Sequence, residues 1–69
     1  MSERLNKTEK EIILAFARND MRVTYAEKEL YMSAGSVCYH MKKIKEKTGL
    51  NPKNFYELIE LVKEVKEGK

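Results

Sequence analysis

The chain has one cysteine, Cys38, and one histidine, His40. A single cysteine excludes an internal disulfide and any cysteine-cluster zinc site within the chain. A single histidine excludes histidine pairs at metal-ligand spacing. No stretch approaches the ~18 consecutive apolar residues of a membrane span, and no signal-peptide pattern is present. A soluble, cytoplasmic protein with no membrane partner is therefore expected. Catalytic signatures are also missing: no paired carboxylates that can be placed in a cleft, no nucleophile and histidine beyond the near neighbours Cys38 and His40, and no phosphate-binding glycine loop. Sixty-nine residues make a single domain, and a chain this short buries only roughly 60% of its unfolded surface. That leaves little room for an enzyme cleft plus a scaffold. The expectation is a non-enzyme with no cofactor and no metal.

What charge there is sits in one place. The net charge is only +3. Residues 1–32 hold six basic and six acidic groups, and residues 50–69 hold four of each. Residues 33–49 hold four lysines against Glu46 alone, so the whole excess falls there. A local excess of this kind fits a polyanionic partner; a solvated lysine face is the plainer reading.

That stretch, SAGSVCYHMKKIKEKTG, reads as a helix over 34–48. Ser33 is suited to its N-cap, because a hydroxyl there accepts from a first-turn amide. Gly49 is suited to its end, because glycine takes the left-handed C′ conformation without steric cost. Val37, Met41 and Ile44 recur at i, i+4, i+7 on one face. Gly35, Ser36, Tyr39, Lys42, Lys43 and Glu46 fall on the opposite face, with Cys38, His40, Lys45 and Lys47 on the flanks. Such a helix is built to read groove edges with its first turns and grip phosphates with its later ones.

Around it the pattern predicts three more helices, making a compact all-α, four-helix domain over 1–69. The first spans about 7–19, with Ile12, Ile13, Phe16 and Ala17 inward; Thr8 to Glu11 fits a capping box, and Asn6 is the competing cap. The second spans about 24–31, with Thr24 and Glu27 as a capping box and Val23, Ala26 and Leu30 inward. Tyr31, Met32 and Ser33 make a tight turn into the central helix, Met32 as its apolar plug and Tyr31 as a core-edge ring with a wet hydroxyl. Two helices joined so closely cross at a large angle, as in a helix-turn-helix. The fourth spans about 53–66, capped by Asn51 before Pro52 or by Asn54. Phe55, Leu58, Ile59 and Val62 form its i, i+3, i+4, i+7 stripe. Tyr56, Leu61 and Val65 are left as extra apolar surface, for the core or for a dimer seam. Residues 1–4 read as a frayed terminus.

The stretch AEKELYMSAGSVCYHMKKIKEKTGL resembles the helix-turn-helix of LuxR/GerE-type transcriptional regulators, and equally that of PucR-type regulators. The run Ser33, Ser36, Val37, His40, Met41, Ile44, Lys47, Gly49 and Leu50 carries most of the likeness. LNKTEKEIILAFA and NFYELIELVKEV are similar to the first and last helices of those domains. The resemblance implies a DNA-binding domain with 34–48 as the recognition helix in the major groove. It implies base and phosphate contacts at Ser33, Ser36, Cys38, Tyr39, Lys42 and Lys43, and backbone contacts at Thr24 and Tyr25. In the LuxR type the last helix makes the dimer, which implies a seam at Tyr56, Leu61 and Val65. The chain departs from the pattern at Glu27, where those domains usually have a small residue, and at Ala34, Gly35 and Cys38, where they often have polar ones. No sensor domain accompanies the helix-turn-helix, which reads as a stand-alone regulator or an excised domain.

Two functions follow. One is DNA binding by a transcriptional regulator, as a dimer on paired half-sites. The other is a small helical protein-interaction module acting through the last helix. Cys38 reads as an ordinary flank thiol or as a redox switch beside the DNA face; His40 as a partly buried, hydrogen-bonded ring or as a phosphate contact.

Overall fold

Helix α1, Lys7–Arg18, starts where Asn6 can cap it. The Asn6 side chain accepts from the Glu9 amide at 2.8 Å, and Glu9 Oε1 accepts from the Asn6 amide at 3.0 Å. This reciprocal pair is a capping box, its two members three positions apart. The Thr8 box expected from the sequence is not used, because Thr8 already lies inside the first turn. Ile12, Ile13, Ala15 and Phe16 are buried along one side of the helix. The computed structural model describes residues 5–67; the expected frayed segment 1–4 and residues 68–69 lie outside them.

Helices α2 (Val23–Leu30), α3 (Ala34–Thr48) and α4 (Phe55–Glu67) follow, with no strand among the described residues. All four helices fall within two residues of the bounds expected from the pattern. Helix α1 packs against each of the others, α2 also packs against α3, and α4 packs against α1 alone. Leu5, the α1 residues, Ala26, Val37, Met41, Ile44, Leu58 and Leu61 form one core. The Cα radius of gyration is 10.7 Å, close to the ~11 Å of a compact body of this length. No helix among the described residues is long and apolar enough to cross a membrane.

Three local expectations are corrected. Helix α2 begins one residue early, at Val23, with Arg22 at its N-cap and no side-chain cap bond. The Thr24–Glu27 box therefore does not form; Thr24 is inside the first turn and exposed. Tyr31 is not a core-edge ring. It ends α2 in the left-handed region (φ 57°) and is 95% exposed, because that backbone turns the side chain away from the core. Met32 stays half-buried against the core, as a plug should. On α4 the inward stripe is Leu58 and Leu61, buried, with Val62 and Val65, half-buried, while Phe55 and Ile59 are 57% and 42% exposed. Both sets satisfy the i, i+3, i+4, i+7 rule, so periodicity alone does not choose between them. Packing against α1 does. Asn54 caps the helix, accepting from the Glu57 amide at 3.1 Å. Asn51 instead accepts from the Lys53 amide at 3.0 Å, and Pro52 is buried in the turn.

Two polar ties fix the packing. Arg18 and Asn19, at the end of α1, both bond the Glu29 carboxylate on α2. The Arg18 bond, then the Asn19 bond, hold that carboxyl below its ordinary pKa. The second tie is longer in reach. Glu9 is 1% exposed, and Lys47 Nζ, from the last turn of α3, donates to both its oxygens at 2.9 and 2.8 Å. A buried carboxylate without a cation is costly. Lys47→Ala should lower unfolding free energy by about 2–3 kcal/mol, less than the ~3–5 kcal/mol of a fully buried pair because Lys47 remains partly exposed. Lys45→Ala, two residues away, should stay within about 0.5 kcal/mol in the same urea titration.

Candidate nucleic-acid interface

Helix α3 forms as its sequence dictates. Ser33 Oγ accepts from the Ser36 amide at 3.2 Å, and Gly49 ends the helix at φ 77° with its amide donating to the Lys45 carbonyl at 2.8 Å. Val37, Met41 and Ile44 are buried. Sealing that face turns Ser33, Ala34, Gly35, Ser36, Cys38, Tyr39 and Lys42 outward, all exposed.

The outward groups are partly organised among themselves. Ser33 donates to Ser36 Oγ at 3.2 Å, which leaves the Ser36 hydroxyl proton for another acceptor. Tyr39 is 57% exposed. Its ring meets His40 edge-on, with centroids 5.4 Å apart, and Lys43 Nζ lies 5.7 Å from its centroid. The ring is thus braced from two sides yet open on the outside. Lys43 is half-buried and reaches Glu46 at 4.0 Å. Lys42 has no ion-pair partner among the described residues. Thr24 and Tyr25 stand exposed on the first turn of α2, not on α3; the Tyr25 ring lies 5.6 Å from the Arg22 guanidinium carbon.

Two basic residues on this side carry no expectation from motif matching. Lys45 is a flank position of α3, and Lys53 lies in the turn before α4; both are exposed. Arg22, beside Tyr25, is a third. The sequence signal for Lys45 is its spacing from Lys42, i and i+3, which places the two on neighbouring turns. Lys53 has no signal until the turn brings it back towards α3.

The residues expected at a dimer seam separate. Tyr56 is 76% exposed and Val65 half-buried, but Leu61 is fully buried in the core of its own chain. Leu61 is thereby removed from the surface. In its place Phe55 and Ile59 join Tyr56 as exposed apolar side chains. Between the end of α1 and α4 runs an open apolar groove of about 490 Å³, lined by Ala17, Met21, Phe55, Leu58, Ile59 and Val62 among others. Among the described residues, no three histidine, cysteine, aspartate or glutamate side chains converge to hold a metal ion.

No protein-family model matches the chain, and no curated protein or solved structure matches it.

Gly35 is the weak point of α3 in folding terms. It sits in the first turn of α3, and a Cβ there would meet nothing within 4 Å. Gly35→Ala should raise unfolding free energy by about 0.5–1 kcal/mol, read by thermal or urea denaturation.

Proposed function

We propose that this chain binds double-stranded DNA as a transcriptional regulator, with α3 entering the major groove. The single observation that carries the reading is the two-sidedness of α3: one face sealed in the core, the other presenting Ser36, Tyr39 and Lys42 with Glu46 as its one acidic group. The short turn from α2 into α3 supports it, being the connection a helix-turn-helix uses. The likeness to LuxR/GerE-type and PucR-type domains supports the same assignment. In this reading Lys42 and Lys43 contact phosphates, Ser33, Ser36, Cys38 and Tyr39 face base edges and the groove wall, and Thr24 and Tyr25 meet the flanking backbone. Homodimerisation through α4 would place two such helices on paired half-sites.

The test is fluorescence anisotropy with a labelled random duplex at low and moderate salt, followed by selection of a preferred site. Binding is expected at low salt and should fall steeply as salt rises, because lysines displace condensed counterions. Tyr39→Ala should cost roughly tenfold on the selected site, about 1.4 kcal/mol, and much less on random DNA. Equal losses on both contradict base readout by Tyr39.

The second reading, a protein-interaction module acting through α4, is favoured by the exposed Phe55, Tyr56 and Ile59 beside the groove. Leu61→Glu does not test it, since a charge at a fully buried position unfolds the domain. Ile59→Glu does. If α4 joins two copies, sedimentation at micromolar concentration should show a dimer that Ile59→Glu converts to a folded monomer. A wild-type chain that is monomeric throughout removes the dimer, and partner binding that survives Lys42→Glu with Lys43→Glu marks the module instead.

A further inference from the structure

The four lysines of α3 are not equivalent. Lys47 is spent on the buried Glu9 carboxylate, and Lys43 reaches Glu46. Lys42 and Lys45 have no acidic partner among the described residues, and neither has Lys53. These three surround one concavity of about 170 Å³ at the junction of α3 with the turn before α4, together with Cys38, Met41 and Asn51. Asn51 uses its side-chain oxygen on the Lys53 amide and its backbone amide on Glu57. Its side-chain NH₂ has no acceptor among the described residues. Three of the six side chains around the concavity are thus unpaired lysines, and no carboxylate lines it. It is smaller than the ~300–1,000 Å³ of pockets that take drug-sized ligands, and it suits one tetrahedral phosphate group.

We infer that Lys42, Lys45, Lys53 and Asn51 form a phosphate subsite that takes one phosphodiester of the DNA backbone beside the groove that α3 reads. The inference rests on the DNA-binding reading and adds Lys45, Lys53 and Asn51 to it. Three like charges around one small hollow repel each other, and an anion seated among them relieves that repulsion. A phosphate clamped between α3 and the following turn also fixes how far α3 slides along the groove, a positioning contact without sequence information.

The experiment measures the salt dependence of duplex affinity for wild type, Lys45→Gln, Lys53→Gln, the double variant, and Lys66→Gln on α4 as control. Each of the first two should lower the slope of log K against log salt by about 0.9. The double variant should lose about twice that, with equal fold-losses on random and selected duplexes. Lys66→Gln should leave the slope unchanged. A double variant with the wild-type slope that still binds duplex overturns the subsite and leaves the DNA reading intact. A wild-type chain that binds no duplex at low salt overturns both.

Cys38, exposed at the rim, gives an independent readout. Duplex should slow its alkylation by iodoacetamide in the wild type and less so in the double variant. Protection by inorganic phosphate but not by duplex would reassign the site to a free anion and overturn the backbone occupant.

Discussion

The arrangement of this domain depends on one carboxylate. Glu9 is almost wholly removed from solvent, yet it bonds the Asn6 amide that begins α1 and the Lys47 ammonium that ends α3. A buried charge is tolerable only when its oxygens are satisfied. Here one partner is the cap of its own helix and the other, Lys47, lies 38 residues away in sequence on α3. The same side chain thus starts one helix and fixes the end of another against it. The apolar core would accept α3 over a range of slides along α1, because hydrophobic burial is non-directional. The bidentate ammonium contact is not so permissive, and it selects a register.

That constraint has an electrostatic consequence at the surface. Lys47 is neutralised by Glu9, so its charge, though still partly exposed, does not add to the outward excess. The local excess read from residues 33–49 is therefore not spread along α3. With Lys43 drawn to Glu46, the free positive charge is Lys42 and Lys45, joined by Lys53 from a different segment. Composition counts charges by position in the chain; folding regroups them by position in space.

How much of this was legible in the sequence differs by element. Helix α3 was fully legible: its cap, its end and its inner face all follow from Ser33, Gly49 and the Val37, Met41, Ile44 spacing, since each signal is local and they agree. The outward placement of Ser36, Tyr39 and Lys42 followed from them. Tyr31 was misplaced because its left-handed backbone is a property of the turn between two packed helices and not of tyrosine, which enters that region only at some cost. The α4 stripe was misplaced because two overlapping stripes fit the same residues, and packing against α1 chose between them. Glu9 and Lys47 went unrecognised as a pair because nothing local links them. Lys53 was missed for the same reason.

Helix α2 shows why the turn into α3 cannot be understood from its own residues. It is eight residues long, has no side-chain cap, and buries only Ala26 completely. Isolated helices of that length are unstable in water, so its stability is borrowed from tertiary contacts. Val23 and Leu30 lean on the core, and Arg18 and Asn19 hold Glu29 from the end of α1. Its far end stops on a left-handed tyrosine with no glycine to ease it. Helix α1 grips both α2 and α3, at Glu29 on one side and, through Glu9, at Lys47 on the other, and so supports the direct packing of α2 on α3. Any surface that uses the first turn of α2 and the outer face of α3 together therefore leans on a helix that contributes no residue to it.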